Sequence, residues 1–238
     1  MVQLSCWTMN EIYQFYSDNI KCWIENPRDS IRNGYLKMLG DVSGKHIIDV
    51  GCGCGHDILA LSRKYNDVTG VGLDFCQNSI AEAQKMIGDC EGWDLINEDM
   101  MSYTSERKFD IVLFSMVVMH YADLSPIFAK FASLLVPGGR LLLVTNNPYL
   151  VCKEYNVLYP NGSNSIPYQH HFSYRGKDLS ITKYVHSISN YINAAFAHGL
   201  SVCKINEQAV YNHETQFFNP TPNKSIPNFL SILYKLSN

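Results

Sequence analysis

Charge of one sign is scarce in this chain: 19 lysines and arginines stand against 22 aspartates and glutamates, a formal net of −3. Composition therefore imposes no basic face, which argues against a nucleic-acid partner. No apolar run approaches the ~18 residues needed to span a bilayer. The opening stretch MVQLSCWTMNEIYQFY has neither a basic n-region nor a clean apolar h-region. Repeats, low-complexity tracts and long charge runs are missing as well. The expectation is a soluble, cytoplasmic protein without a membrane or nucleic-acid partner, working on a small molecule as a monomer or homodimer.

A second cysteine pair is also missing. The eight cysteines are Cys6, Cys22, Cys52, Cys54, Cys76, Cys90, Cys152 and Cys203, and only Cys52 and Cys54 lie close in sequence. Zinc sites use such pairs twice over, so no metal is expected, and reduced, mostly buried thiols are. What is present is a core: of 238 residues, 46% are hydrophobic and 12% aromatic, enough for one large domain without staples.

Short β-like runs alternate with helical spacings through the middle of the chain, the pattern of an α/β fold with a parallel sheet. Strands are expected at 45–50, 67–74, 93–99, 109–115, 140–146, 200–207 and 228–236. Helices are expected after the first strand, at QNSIAEAQKMIG with Asn78 or Ser79 as N-cap, at LSPIFAKFASLL stopped by VPGG, and at SISNYINAAFAHG. Residues 1–40 read as an N-terminal helical cap with Ile12, Phe15, Tyr16, Ile20 and Trp23 on one apolar face. Residues 147–180, rich in proline, asparagine and aromatics, are too long for a plain connection and read as an insertion or lid on the substrate side. A second irregular segment covers 208–227.

The chemistry concentrates at IIDVGCGCGHDILAL, residues 47–61. A G-x-G-x-G run between a strand and a helix lets a ligand approach bare backbone, with helix N–H groups behind it. A dinucleotide fingerprint wants small residues at 51, 53 and 56, but His56 stands at the last. The Walker loop is absent. S-adenosylmethionine is the other candidate. Its carboxylate suits the loop, its ammonium suits Asp49, its ribose diol suits Asp74, and its adenine suits Asp99 with Met100 and Met101 beside it. These three acids end strands 1, 2 and 3 and face one crevice.

With those motifs in view, the sequence resembles the class I S-adenosylmethionine-dependent methyltransferases of the small-molecule branch. IIDVGCGCG, GVGLDF, NEDM, FDIVLFSMVVMHY and LLVPGGRLLLVT look like their five motifs in order. The resemblance implies a doubly wound seven-stranded sheet, order 3-2-1-4-5-7-6 with strand 7 antiparallel, helices on both faces, and S-adenosyl-L-methionine as cofactor. It implies donor contacts from Tyr16, Asp49, Gly51, Cys52, Gly53, Gly55, Asp74, Phe75, Asp99, Met100, Ser115 and Met116, the last two through backbone under the methionine part. Cys52 and Cys54 then become spacers between glycines.

In-line methyl transfer needs a nucleophile held roughly 3–3.5 Å from the methyl carbon with water excluded. A proton acceptor helps when the nucleophile is a hydroxyl or ammonium. His120, after strand 4 with Tyr121 beside it, is the candidate base; its other reading is packing or capping. His171 and Tyr16 are the further catalytic candidates. His170 and His171 line a pocket, sit on a loop or bind a metal. Tyr13 and Tyr16 close over the sulfonium or serve the core. His186 reads as surface or packing, Arg28 and Arg32 as solvated surface or partners of an acidic substrate, and Asp57 as a helix cap. The insertion's Tyr149, Tyr155, Tyr159, Tyr168, Phe172 and Tyr174 suit an aromatic acceptor's pocket or lid packing. The expected activity is methylation of an oxygen or nitrogen of a small, apolar or aromatic metabolite. The alternatives are a non-catalytic binding partner or sensor, and a thiol or arsenite methyltransferase.

Overall fold

A computed structural model describes residues 8–24, 29–88, 90–161, 164–174, 176–208 and 227–238. Cys6, Arg28 and nearly all of the second irregular segment lie outside the described residues.

The chain opens with α1 (Met9–Asp18), started by a capping box: Thr8 Oγ1 accepts from the Glu11 N–H, and Glu11 accepts from the Thr8 N–H. The single expected N-terminal helix is broken at Asn19, whose side-chain amide donates back to the Phe15 carbonyl. A short α2 (Ile20–Ile24) and then α3 (Asp29–Leu36) follow.

The sheet is built from β1 (His46–Val50), β2 (Thr69–Asp74), β3 (Trp93–Asn97), β4 (Phe109–Ser115) and β5 (Leu135–Asn146), with α4 (His56–Lys64), α5 (Gln77–Ile87) and α6 (Ser125–Leu134) as crossovers. The last helix α8 (Ile188–Phe196) leads to β8 (Leu200–Gln208), and β9 (Phe229–Leu236) closes the sheet. Strand order is β3-β2-β1-β4-β5-β9-β8, with β9 antiparallel to both neighbours. That is the expected doubly wound architecture. The central strands read as continuous apolar runs because both faces are covered. Ile48, Val112, Phe114 and Leu143 pack on Phe128, Phe131 and Tyr191 of α6 and α8. Ile47, Ile111, Leu113 and Leu142 pack on Leu36, Leu39 and Leu61 on the other side.

Two expectations change. Helix α5 starts from Cys76 rather than Asn78 or Ser79. Asp74 Oδ1 accepts the Cys76 N–H at 2.8 Å and turns the chain as soon as β2 ends. The stretch 147–180 is far more regular than its composition suggested. It holds α7 (Pro148–Glu154), capped by Asn147, and most of a hairpin of β6 (Ile166–Tyr174) and β7 (Lys177–Val185), which forms a separate two-stranded sheet. Among the described residues no helix is long and apolar enough to cross a membrane.

Candidate active site

A crevice of about 210 Å³ opens at the carboxyl ends of β1, β2, β3 and β4. The turn after β1 forms its floor. Gly51 has φ +73°, and a Cβ there would lie 2.4 Å from Val117. At Gly53, φ +55°, an added Cβ would meet nothing within 4 Å, so this backbone faces open space. Gly55 is the exception among the three. It does not line the crevice; it caps α4 in a left-handed conformation against Ala83 and Ile87. Its left-handed backbone starts the helix.

Asp49, Asp74 and Asp99 all line the crevice, as do Cys52, Phe75, Met100, Ser115 and Met116. Asp49 is 2% exposed, and its Oδ2 has no hydrogen-bond partner among the described residues. Burial, then the charges of Asp57 and Asp74, push its carboxyl well above the usual range. Such a group awaits a cation. Asp74 Oδ2 accepts the Gly53 N–H at 2.9 Å and so fixes the glycine turn. Burial raises the Asp74 carboxyl to about 6 despite the Cys76 and Gly53 N–H donors. Asp99 is half-buried and accepts the Met101 N–H at 2.7 Å, which folds Met100 inward and leaves Met101 outside. Met116 adopts φ +59° at the end of β4, with its N–H on the Val144 carbonyl.

The roof comes from α1. Tyr16 hydroxyl lies 2.9 Å from His120 Nε2, joining residues 104 positions apart, and the two rings meet edge to face. His120 is buried, and its Nδ1 has no partner among the described residues. Burial, then the charge of Lys183, takes its imidazole down to about 3, so it is neutral. Tyr13 meets Phe75 edge to face beside this roof.

Arg32, Asp57 and His171 depart from what their sequence context suggested, while His186 takes its packing role. Arg32 is not solvated: it is buried, with Nε donating to Asp57 Oδ1 at 2.5 Å and Nη1 to Asp29 at 2.7 Å. Asp57 also accepts from the Tyr35 hydroxyl at 2.5 Å, so it anchors α3 to α4 rather than only capping a helix. Arg32, Tyr35 and Asp57 line the crevice, and nothing in their sequence spacing announced it. His171 points away from the crevice, exposed on the outer face of β6, whereas its neighbour His170 is buried against the Tyr155 hydroxyl at 2.5 Å. Strand alternation explains the split. His186 is fully buried: Nε2 donates to the Tyr121 carbonyl at 2.8 Å and Nδ1 takes the Asn190 amide at 3.0 Å. The six aromatics of 147–180 pack within α7 and the hairpin, against α1, or on one another, as Tyr149 and Tyr159 do, and none lines the crevice. Glu98 and Phe229 line it without having been singled out, and Ser79, expected only as a helix cap, lines it too.

Burial keeps the thiols at the glycine turn protonated. Burial raises Cys52 well above its usual range and Cys54 to about 12. Among the described residues no cluster of His, Cys, Asp or Glu suits a metal ion.

Residues 47–139 match the family described as "Methyltransferase domain". A ubiquinone biosynthesis O-methyltransferase of Coxiella burnetii is 29% identical over 134 residues, covering 54% of this chain and 55% of that protein. The chain thus spans about half the length of the curated relatives it matches. Among solved structures, N-methyltransferase NodS from Bradyrhizobium japonicum WM9, in complex with S-adenosyl-L-homocysteine, superposes with TM-score 0.61 at 12% identity, over 89% of this chain and 88% of that one. The [4+2]-cyclase SpnF gives TM-score 0.68, also at 12% identity, over 98% of each chain. These structural likenesses are likenesses of fold.

Proposed function

We propose that the chain, whose residues 47–139 match a methyltransferase domain, belongs to the class I S-adenosylmethionine-dependent methyltransferases and transfers a methyl group from S-adenosylmethionine to an oxygen or nitrogen of a small molecule. The observation that carries this reading is the buried Asp49 carboxyl, whose Oδ2 has no hydrogen-bond partner among the described residues, set between a glycine turn and the acids of β2 and β3. The bound donor supplies a methyl carbon already activated by positive sulfur.

The residues divide the work. Asp49 offers its free oxygen to a cationic ammonium. Asp74 uses one lone pair per oxygen on backbone and keeps the others for a diol, since a carboxylate accepts about four hydrogen bonds. Asp99 and Met100 take a flat base between an acceptor and an apolar wall. The turn at Gly51 and Gly53 and the N-terminus of α4 face a carboxylate. Tyr16 and His120, with Tyr121 beside them, orient the acceptor atom. If Nε2–H donates to the Tyr16 hydroxyl oxygen, Nδ1 of His120 carries the lone pair that takes the acceptor's proton. Helix α1 and the hairpin keep water out.

The cyclase's high fold similarity is the reason for a direct test. Thermal melts with S-adenosylhomocysteine and with NAD separate the cofactor classes: a ligand at 100 times its dissociation constant adds about 2.7 kcal/mol of stability. Labelled donor with metabolite extract, read by mass spectrometry, then tests transfer itself. A shift with NAD alone, or tight donor binding with no labelled product from any extract, overturns the proposal.

A further inference from the structure

Resting on the methyltransferase reading, we propose that His186 is a positioning residue for the reaction: from the base of the hairpin it holds the backbone that presents His120 to the acceptor atom.

The segment after β4 has few bonds of its own. The turn Val118–His120 closes two, His120 N–H to the Val117 carbonyl at 3.0 Å and Tyr121 N–H to the Val118 carbonyl at 3.2 Å. Between Tyr121 and α6 the chain is irregular, so its carbonyls need donors from elsewhere. The hairpin supplies them. Ile166 and Val185 pair at its open end. Ser165, just before that pair, donates from Oγ to the Ala122 carbonyl at 2.9 Å. His186, just after it, donates from Nε2 to the Tyr121 carbonyl at 2.8 Å. Two consecutive carbonyls directly after His120 are thus gripped from the two ends of one hairpin, and β7 packs on the turn itself.

His186 is suited to this task. It is fully buried, and burial lowers its imidazole to about 4, so it is neutral. A carbonyl only accepts, which puts the proton on Nε2 and leaves Nδ1 to take the Asn190 amide at 3.0 Å. Helix α8 thereby orients the imidazole, and the imidazole places the Tyr121 carbonyl. His120 needs that support. Among the described residues its ring makes one hydrogen bond, from Nε2 to the Tyr16 hydroxyl, and Nδ1 makes none. Where the ring stands therefore depends on where its backbone stands. Displacing a reacting group by about 1 Å can cost roughly 100-fold in rate. His186 does not line the crevice, so it acts through this backbone alone.

Two substitutions separate positioning from packing. A glutamine amide reaches as far as Nε2, whereas an asparagine amide reaches only as far as Nδ1. NMR of the whole protein, isotope-labelled at histidine, reads the ring signals, with those of His120 identified by their loss in His120→Ala. His186→Asn should move the His120 signals, and His186→Gln should keep them near their original places. Ser165→Ala, which removes the other jaw of the clamp, should move them less than His186→Asn does. With labelled donor and metabolite extract, product formation should fall roughly 10–100-fold in His186→Asn and largely recover in His186→Gln. Calorimetry should find the affinity for S-adenosylhomocysteine nearly unchanged in both. His120 signals that stay in place in His186→Asn and Ser165→Ala alike, even with a lowered melting temperature, would make His186 a packing residue and overturn the proposal. So would equal displacement in His186→Gln and His186→Asn, or a loss of donor affinity as large as the loss of rate. Ser165→Ala decides if His186→Asn fails to fold. Failure of the unaltered protein to bind S-adenosylhomocysteine would instead strike the methyltransferase reading, on which the ring signals do not depend.

Discussion

The two halves of the crevice are built by different means. The half under β1, β2 and β3 is made of backbone and of acids at strand ends, and Asp74 ties its own turn to Gly53 and Cys76. The half under α1 and the hairpin is made of side chains from distant parts of the chain, with Tyr16 and His120 meeting across 104 positions. The first is locally determined and rigid. The second exists only once tertiary packing has brought α1, the turn at Val118–His120 and β7 together. On the reading proposed above, most donor contacts fall within residues 47–101, joined by Ser115 and Met116 at the end of β4 and Tyr16 from α1, while the acceptor side depends on the segments that cover them.

Substitutions can break this contrast or sharpen it, and the largest effect is expected on the acceptor side. His120→Ala should lower kcat by roughly 10²–10⁴-fold, the span of a proton-transfer contribution, and leave the dissociation constant of S-adenosylhomocysteine nearly unchanged. Turnover equal to the unaltered enzyme's would remove His120 from the chemistry. Next comes the link between the halves: Arg32→Met should cost about 3–5 kcal/mol by stranding a buried carboxylate. Thermal melts should show Arg32→Met with Asp57→Leu less destabilised than the single change.

On the donor side the effect is smaller and depends on pH. A carboxyl raised in the folded state holds its proton more tightly there, so stability falls as pH climbs from the unfolded value to the folded one. For Asp74 that window runs from 3.8 to about 6, and for Asp49 it starts at the same value and extends upward. The ligand-free protein should lose stability across this range while affinity for S-adenosylhomocysteine rises, because the ionised acids bind the ammonium and the diol. Asp74→Asn should reduce both slopes and weaken binding about 10–100-fold; parallel pH profiles in the two proteins would contradict this. Smallest of all, His171→Ala should stay within about 0.5 kcal/mol and leave kcat unchanged, and any larger loss would bring the outer hairpin face into the site.

The same contrast decides what the sequence revealed. The strands, the glycine turn and the three strand-end acids were legible because each rests on a local signal: an apolar run, a glycine-rich turn, an acid where a strand stops; the order of the strands in the sheet came only from the family resemblance. Arg32, Tyr35 and Asp57 were not legible, since their triangle closes only when α3 lies on α4. The hairpin was hidden by its turn-rich flanks and by alternation broken at His170 and His171, whose neighbouring rings belong to opposite faces. Gly55 shows the reverse case. Its pattern matched a ligand loop, yet its left-handed backbone serves the start of α4.

The position of β9 has a consequence for how the molecule is made. It is synthesised after β8 yet lies between β8 and β5, so β8 has nothing in the sheet to join until residues 229–236 have left the ribosome. Until then the long β5 edge, with Leu141 and Leu143 along it, stays open to any passing strand. Phe229 at the head of β9 also completes the crevice wall. A nascent chain would thus be prone to sticking during the same interval in which its pocket lacks a side.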